Sequence, residues 1–407
     1  MTMNDPSIGA GEGAIGRFIV AIGRRLLPEN LKGSLALTLP SGRIVKLGRA
    51  GTGIDADLTL LNWRPVLASI TRASVGFSES YVDGHWTSSD PALLIRFYLQ
   101  NRKPLDDASK PVFFQSLMDR FWHMRRDNSK AGSKRNIAEH YDLGNRFYEL
   151  WLDPSMTYSS GFFTSSAETL EESQHAKNRI VIEALEIEQG HDVLEIGCGW
   201  GGFAEAAGKA GARVRGITLS EEQLAYAKQR LNAAGLSDNC AVHLEDYRDT
   251  KGLYDRIVSI EMVEAVGEAH WPHYFQTLRD RLKPGGIAVI QAITIAPENF
   301  LAYRRQVDFI QRHIFPGGML PTDNIMRDHA RSHGLAFELQ KSFGLSYART
   351  LREWSDRFEA KWPEITKLGF DDRFRRLWRY YLAYCEAGFD ECAIKVGIYC
   401  LRKPVAN

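Results

Sequence analysis

Val193-Leu-Glu-Ile-Gly-Cys-Gly-Trp-Gly-Gly202 is the stretch that decides the fold of this chain. Its apolar residues predict a short buried strand, its glycines predict a sharp turn, and the alanine-rich segment that begins at Phe203 predicts a helix. A strand, a glycine-rich turn and a helix in this order are the usual setting of a nucleotide-binding turn. Glycine suits the turn because it adopts positive φ angles and lets a ligand approach the backbone closely.

The pattern of the turn narrows the class of ligand. It reads Glu-x-Gly-x-Gly-x-Gly from Glu195 onward, which differs from the GxGxxG of dinucleotide folds, and no Lys-Ser/Thr pair follows to hold phosphates. An acidic residue at the end of the strand repels phosphate and attracts an ammonium or sulfonium group. A turn that serves packing alone is the alternative, but S-adenosylmethionine fits better. The candidate binding residues are Glu195, Gly197 and Gly199.

The overall composition bounds the class of protein. The 407 residues are 44% hydrophobic, so the chain can bury a large core and is long enough for two domains. The net charge of +1 gives no argument for a nucleic-acid partner, and we expect none. The five cysteines lack the spacing of metal ligands, which predicts reduced cytoplasmic thiols and no metal site. No apolar run approaches the ~18 residues that a membrane-spanning helix needs.

The first hundred residues predict a small α+β unit. The basic, amphipathic segment 15–27 lacks the small-residue cleavage site of a targeting peptide, so we expect it to be the first helix of the mature chain. Alternating apolar and polar residues at 35–39 and 43–47, on either side of Pro40-Ser-Gly42, predict a hairpin. We expect residues 1–100 to form an accessory or dimerisation domain, which leaves a homodimer open.

Residues 101–136 form a predicted linker in which aromatic and basic side chains are interleaved, above all at 113–126. This mixture suits an anionic lipid surface, because rings lie at headgroup depth and each cation near the surface adds about 1 kcal/mol. An ordinary packed helix with a solvated basic linker explains the same residues equally well. The stretch 374–381 repeats the mixture and has the same two interpretations.

Strands and helices alternate over the middle of the chain. The alternation predicts a parallel sheet with right-handed crossovers. Ligands of such sheets bind beyond the carboxyl ends of the strands, so the residues after each strand are site candidates. The predicted strands are 192–197, 213–218, 241–245, 255–260 and 286–293.

Polar side chains follow the second of these strands, where an acidic residue commonly binds the ribose hydroxyls. Hydroxyl and amide groups must bind the ribose here, so the chain departs from the general pattern. Ser220 and Gln223 also have the spacing of a capping box, which is compatible with a role in binding. The candidate cofactor-binding residues at this strand end are Thr218, Leu219, Ser220 and Gln223.

Acidic residues follow the third and fourth strands. Asp246 is placed to accept a hydrogen bond from the adenine amino group, and Tyr247 or Arg248 to flank the ring. The fourth strand ends near Ser259, a candidate cofactor contact, and two carboxylates, Glu261 and Glu264, follow in an otherwise apolar stretch. Carboxylates are a poor choice for packing, so we expect Glu264 to be functional.

Taken together, these stretches resemble the cyclopropane-fatty-acyl-phospholipid synthase family of S-adenosylmethionine-dependent enzymes. The resemblance implies a Rossmann-like class I methyltransferase domain at 137–403, with a mostly parallel sheet and a helical cap at about 296–330. The stretch 76–86 resembles the N-terminal domain of the family. The segments that carry the main resemblance are 140–145, 154–160, 193–202, 245–249, 262–264, 303–321 and 342–347.

The resemblance implies chemistry on a carbon–carbon double bond of an acyl chain. The alkene attacks the sulfonium methyl group, a base removes a proton from the resulting cation, and a cyclopropane ring closes. In the family a bicarbonate ion is taken to be the base, and such an anion lowers the energy of the cation beside it. The residues that would hold it in this chain are Glu264, Tyr347, Ser160, Gln291 and the backbone of Ile293.

The same resemblance implies a catalytic role for His140 and a pair of residues, Tyr158 and Ser159, that close over the cofactor. Departures from the family pattern put the product in doubt. Ser160 stands where cysteine is usual and Gln291 where histidine is usual, and Ala265 replaces the histidine that commonly follows the pocket glutamate. Serine and glutamine keep donors for bicarbonate but cannot pass a proton as histidine does.

We therefore expect transfer of a methylene or methyl group to unsaturated acyl chains of phospholipids, above all cyclopropanation. The protein is expected in the cytoplasm, peripherally associated with the inner face of an anionic membrane. The alternatives are a methylene- or methyl-branched product, methyl transfer to a small soluble amine, and a non-catalytic binding protein whose pocket has decayed. The full glycine turn, Glu264 and Tyr347 argue against decay.

Overall fold

The computed structural model describes residues 13–26, 28, 30–109 and 143–405, which form two compact units. Unit 1 combines the described residues up to 109 with 306–309 and 362–393. Unit 2 contains 143–305, 310–361 and 394–405. The predicted bounds of the methyltransferase domain, 137–403, therefore differ from those of unit 2, because residues 362–393 belong to unit 1. Most of the predicted linker, including 113–126, lies outside the described residues.

The described residues contain helices and strands in alternation, and no helix among them is long and apolar enough to cross a membrane. The helices are α1 Ala14–Leu26, α2 Arg64–Val82, α3 Pro91–Gln100, α4 Arg102–Ser109, α5 Asn145–Glu149, α6 Leu170–Ala184, α7 Gly202–Lys209, α8 Glu221–Ala233, α9 Val263–Val266, α10 Trp271–Arg281, α11 Pro297–Arg305, α12 Phe309–His313, α13 Asp323–Ser332, α14 Gly344–Ala360, α15 Trp362–Thr366 and α16 Asp372–Asp390. The strands are β1 Gly33–Thr38, β2 Ile44–Arg49, β3 Asp55–Leu60, β4 Trp86–Thr87, β5 Asp192–Ile196, β6 Arg213–Thr218, β7 Cys240–Leu244, β8 Tyr254–Ile260, β9 Leu282–Ile295, β10 Ala336–Ser342 and β11 Ile394–Arg402.

Unit 1 is built on a four-stranded sheet with the strand order β2-β1-β3-β4. β1 and β2 pair antiparallel, which confirms the predicted hairpin. Gly42 closes the turn with a φ of 83°, a conformation that glycine adopts without a steric penalty. The predicted N-terminal helix forms as α1, and β3 joins the sheet parallel to β1.

α16 completes unit 1, although it lies far from the N-terminal elements in sequence. Its side chains Trp378, Tyr380 and Tyr381 are buried, and the helix packs on α2 and α3. The ring of Tyr380 lies 5.6 Å from the ring of Tyr81. The stretch 374–381 is thus explained by packing, and the lipid-contact interpretation is wrong for these three buried rings.

Unit 2 contains a seven-stranded sheet with the order β10-β11-β9-β8-β5-β6-β7. The strands from β5 to β9 run parallel and correspond to the five predicted strands, so the mostly parallel α/β sheet is confirmed. β11 pairs antiparallel with both β9 and β10, and neither β10 nor β11 was predicted. β5 lies in the middle of the sheet, where Val193 and Leu194 are completely buried, as expected of a strand covered on both faces.

The carboxyl ends of the parallel strands meet at one edge of this sheet. α11 and α12 follow β9 and lie within the segment that was predicted to form a helical cap. Further along, the N–H of Met319 donates a 2.7 Å hydrogen bond to the carbonyl of Glu264. This part of the predicted cap segment therefore contacts the segment that follows β8.

Candidate active site

The glycine-rich turn between β5 and α7 has the backbone conformation that its sequence predicts. Gly197, Gly199 and Gly201 have φ angles of 80°, 53° and 82°, a region that favours glycine. The N–H groups of Gly197 and Cys198 both donate 3.0 Å hydrogen bonds to the carbonyl of Ile217, which fixes the turn against β6. A Cβ atom on Gly199 would meet no heavy atom within 4 Å, so open space adjoins the turn there.

Hydrogen bonds order the predicted ribose-binding segment after β6. Thr218 Oγ1 donates to Gln223 Oε1 at 2.8 Å and accepts from the N–H of Ser220 at 3.2 Å. Ser220 caps α8, since its Oγ accepts from the N–H of Gln223 at 3.2 Å. The predicted capping box is only half formed, because the Gln223 side chain turns to Thr218 instead of to Ser220. These three residues are buried and Leu219 is half-buried.

Asp246 and Tyr247 lie together after β7, but the Asp246 carboxylate already has a partner. It accepts hydrogen bonds from Arg248 Nε at 2.8 Å and from Arg248 Nη2 at 2.7 Å. Recognition of adenine by Asp246 would share this carboxylate with Arg248, which its several lone pairs allow. The Tyr247 hydroxyl is buried without a hydrogen-bond partner among the described residues, and burial raises the pKa of Tyr247 to about 12.

Two further candidates near strand ends are enclosed by the fold. Ser259, near the end of β8, is completely buried. Glu195 on β5 is buried as well, and its Oε2 has no hydrogen-bond partner in the described part of the chain. Burial raises the pKa of Glu195 to about 8, and the cation of Lys177 opposes this shift. A cationic ligand near Glu195 would favour its ionised form further.

Glu261, directly after β8, joins three parts of the site through its carboxylate. Its φ of 50° is a left-handed conformation that costs a residue with a side chain about 1–2 kcal/mol. The carboxylate accepts hydrogen bonds from three donors that lie far apart in sequence. They are Ser160 N–H at 2.9 Å, Gln291 Nε2 at 2.7 Å and Tyr347 OH at 2.5 Å. Strained backbone held by surrounding contacts is typical of functional sites.

Glu264 lies three residues further on and has a different partner. Its Oε1 accepts from the N–H of Ile293 at 2.5 Å, whereas its Oε2 is buried without a partner among the described residues. Burial and then the negative charge of Glu261 raise the pKa of Glu264 to about 8. Burial also raises the pKa of Glu261, but its three hydrogen-bond donors and the cation of Lys177 oppose that shift. The three donors and Lys177 thus favour the ionised form of Glu261, and the negative charge of Glu261 favours the protonated form of Glu264.

This arrangement differs from the expected anion site, which placed a bicarbonate ion next to Glu264. The structure brings three of the expected ligands together, but around the carboxylate of Glu261, and they are Ser160, Gln291 and Tyr347. The sequence shows Glu261 as a carboxylate after a strand. No local signal in the sequence reveals that three distant segments supply its donors.

The remaining candidates lie before this site in sequence. His140 falls outside the described residues. The ring of Tyr158 packs 5.2 Å from the ring of Trp354. Ser159 is buried, and its hydroxyl accepts a 3.2 Å hydrogen bond from Lys177 Nζ. Lys177 was not a sequence candidate, because nothing in its helical segment distinguishes a buried lysine from an exposed one.

The residues present fit S-adenosylmethionine. Open space adjoins Gly199, and two buried polar atoms, Oε2 of Glu195 and the hydroxyl of Tyr247, lack partners in the described part of the chain. Buried carboxylates also outnumber the buried cation Lys177, since Glu195, Glu261 and Glu264 all lie in this region. Burial raises the pKa values of Glu195 and Glu264 to about 8, and a ligand that carries a sulfonium group would favour their ionised forms.

Comparison with known proteins agrees with this geometry. The family model described as mycolic acid cyclopropane synthetase matches residues 128–398, well over half of the chain. The tuberculostearic acid methyltransferase UfaA1 of Mycobacterium tuberculosis is 39% identical over 323 residues, which cover 77% of this chain and 75% of that protein. The cyclopropane-fatty-acyl-phospholipid synthase of Escherichia coli is 33% identical over 359 residues, which cover 84% of this chain and 88% of that protein.

A solved structure supports the same assignment. The mycolic acid cyclopropane synthase CmaA1, complexed with SAH and CTAB, matches with a TM-score of 0.62 at 29% identity, over 66% of this chain and 98% of that chain. This likeness confirms the predicted class I methyltransferase fold. The chain therefore belongs to the mycolic acid cyclopropane synthetase family of S-adenosylmethionine-dependent methyltransferases.

Proposed function

We propose that this protein transfers the methyl group of S-adenosylmethionine to a double bond of an unsaturated acyl chain, and that Glu261 removes a proton from the transferred methyl group. The proposal rests on the hydrogen bonds of the Glu261 carboxylate. It accepts from three residues that the family resemblance assigns to the binding of bicarbonate. Phospholipid acyl chains at the inner face of an anionic membrane are the proposed substrate. The name of the Escherichia coli relative supports that substrate.

The reaction begins with the electrophilic methyl group that S-adenosylmethionine supplies on its sulfonium sulfur. The π electrons of the alkene bond to this carbon as the carbon–sulfur bond breaks, which leaves a positive charge on the second alkene carbon. The Glu261 carboxylate then accepts a proton from the transferred methyl group. The electron pair of that C–H bond closes a cyclopropane ring. If a hydride has first moved to the cationic carbon, the same pair forms an exocyclic double bond.

The surroundings of Glu261 suit a general base. Burial raises the pKa of Glu261 and with it the affinity for a proton, while its donors and Lys177 favour the ionised form that must be present at the start. The negative charge also lowers the energy of the carbocation in a buried site. Because the donors expected to hold bicarbonate are bonded to Glu261, the proposed reaction needs no separate anion.

A methylene-branched chain is the product that we propose, with a cyclopropane as the second candidate. The relative at 39% identity is named as a methyltransferase, which supports the branched product. The family model and the Escherichia coli relative are named for cyclopropane synthesis, which supports the second. From the sequence we expected a cyclopropane above all. We now place the branched product first, because a side chain serves as the base, whereas the cyclopropane route implied by the resemblance uses bicarbonate.

Lipids from cells that express the protein and receive methyl-deuterated methionine test the product. We expect mass spectrometry to show one added carbon with two deuterium atoms retained, because one leaves with the proton that Glu261 accepts. In unlabelled lipid, NMR signals of vinylidene protons would identify a methylene branch, and upfield ring protons would identify a cyclopropane. Three retained deuterium atoms would contradict removal of a methyl proton, and absence of label from lipid would contradict the acyl-chain substrate.

Glu261→Gly tests the base directly, and glycine should be tolerated because it relieves the left-handed backbone at this position. We expect a loss of activity of about 100-fold or more in carbonate-free buffer. Added bicarbonate should restore part of it, since the variant frees the donors of Ser160, Gln291 and Tyr347. Wild type and Glu183→Gln, which changes an exposed glutamate on α6, should not respond to bicarbonate. Bicarbonate dependence of the wild type would refute the assignment of Glu261.

A further inference from the structure

Lys177 is a buried cation that the proposed reaction uses only indirectly. It lies on α6 with 1% of its surface exposed, and its Nζ donates a 3.2 Å hydrogen bond to the hydroxyl of Ser159. Among the described residues this is its one hydrogen bond, and it forms no ion pair with them. An ammonium group carries three donors, and its burial is unfavourable without a counter-charge. Two of its donors thus lack a partner in the described part of the chain.

The same contact restricts the direction of the Ser159 hydroxyl proton. Because the oxygen accepts from Lys177, the single proton of the hydroxyl points toward some other acceptor. No described residue accepts it, although Ser159 is only 4% exposed. Gln174, one turn before Lys177 on α6, donates a 2.7 Å hydrogen bond from Nε2 to the carbonyl of Ser159. α6 therefore fixes both the backbone and the side chain of Ser159.

Negative groups face Lys177 from three other elements. They are Asp153 after α5, Glu195 on β5 and Glu261 after β8, and all favour the charged ammonium group. Burial acts in the opposite direction and lowers the pKa of Lys177 to about 8, so it is mainly a cation at neutral pH. A ligand bound beside Ser159 would therefore meet a cation and a hydroxyl donor there, and the carboxyl groups of Asp153, Glu195 and Glu261 on the other sides of Lys177.

We propose that Lys177 and the hydroxyl of Ser159 together bind the carboxylate at the methionine end of S-adenosylmethionine, with Lys177 as the residue that positions this hydroxyl. A carboxylate accepts from an ammonium N–H and from a hydroxyl at the same time. The ammonium group of the cofactor would be repelled by Lys177 and attracted by Glu195. The inference rests on the cofactor of the proposed function, but on neither the acyl-chain acceptor nor Glu261 as base.

Calorimetric titration of the full chain with two product analogues tests the proposal without any acceptor. The probes are S-adenosylhomocysteine and its decarboxylated analogue, which lacks the carboxylate alone. Lys177→Met should weaken S-adenosylhomocysteine binding about tenfold to a hundredfold and change binding of the analogue less than about threefold. Methionine matches the length of lysine and needs no partner when buried. Arg179→Met, which removes an exposed cation from the same helix, should change neither affinity.

Equal weakening of both ligands by Lys177→Met would overturn the proposal and give Lys177 a purely structural role. Unchanged binding of both ligands would overturn it as well. Should Lys177→Met fail to fold, Ser159→Ala provides the test, because it removes the hydroxyl and keeps the cation. It should again weaken only the ligand with the carboxylate, and a loss that is equal for both would refute the inference. Because no lipid is present, failure of the acyl-chain proposal would leave these results unchanged.

Discussion

Replacement of Glu264 by glutamine should stabilise the protein at mildly alkaline pH, although the residue lies in the candidate active site. In the unfolded chain this carboxyl ionises near its ordinary pKa of 4.5, whereas burial and the charge of Glu261 raise the pKa of Glu264 to about 8 in the folded protein. Between these values the folded protein holds a proton that the unfolded chain has released. The contribution of Glu264 to stability is therefore greatest below 4.5 and is lost as the pH rises toward 8.

The magnitude follows from the size of the pKa shift. Each pKa unit corresponds to about 1.4 kcal/mol, so a rise from 4.5 to about 8 costs about 4 kcal/mol at a pH of about 8 and about 1 kcal/mol at a pH of about 5. Glutamine does not ionise and keeps an oxygen that can accept from Ile293, so it avoids this cost. The stability advantage of Glu264→Gln should grow by about 3 kcal/mol between these two pH values.

Urea unfolding of the wild type and of Glu264→Gln at both pH values measures this difference. Glu183→Gln serves as the matched control, because it removes an exposed carboxyl from α6 and should give no pH-dependent advantage. A difference between Glu264→Gln and wild type that is equal at both pH values would refute the reasoning. Lower stability of Glu264→Gln in the alkaline sample would refute it as well, because Glu264 would then not be held in its protonated form.

Three other substitutions address single contacts in the same unit. Tyr347→Phe removes a hydrogen-bond donor to Glu261, so the pKa of Glu261 should rise. The acid limb of the pH–activity profile should then move to higher pH. A limb that does not move would contradict a role of this contact. Gly199→Ala adds a methyl group in open space at a residue with a positive φ. Urea unfolding should show a free energy of unfolding lower by about 1 kcal/mol, and calorimetry should show weaker binding of S-adenosylhomocysteine. Thr169→Ala removes the hydroxyl that caps α6 at 3.2 Å from the N–H of Glu172, and an unfolding free energy lower by about 1 kcal/mol is expected. An unchanged unfolding midpoint would show that the cap does not contribute.

Local sequence signals are sufficient to predict the elements at the centre of unit 2. β5, the glycine turn and α7 are consecutive, and both the positive φ angles and the buried strand follow from residues that are neighbours in sequence. The other parallel strands are also predictable, because each apolar run is followed by its own helix. These elements include the strand ends at which most candidate residues lie.

Features that depend on distant pairing were not predictable in this way. β11 pairs antiparallel with β9, about one hundred residues earlier, and α16 packs on helices near the N-terminus. Glu261 is the clearest case in the site, because its role depends on donors from three separate segments and on a left-handed φ. A side chain in that conformation is exceptional, and the pattern of apolar residues around it carries no sign of the exception.

The positions of α16 and β11 have a consequence for synthesis of the protein. They are the last two elements of the described chain, and α16 belongs to unit 1 whereas β11 belongs to unit 2. Because a ribosome releases the N-terminal part first, unit 1 cannot be complete before α16 has emerged, and unit 2 cannot be complete before β11 has emerged. The nascent chain must therefore carry two unfinished apolar surfaces, one on α2 and α3 and one along β9. A product that stops before residue 372 would leave both uncovered, and we expect it to aggregate rather than to accumulate as a folded N-terminal domain.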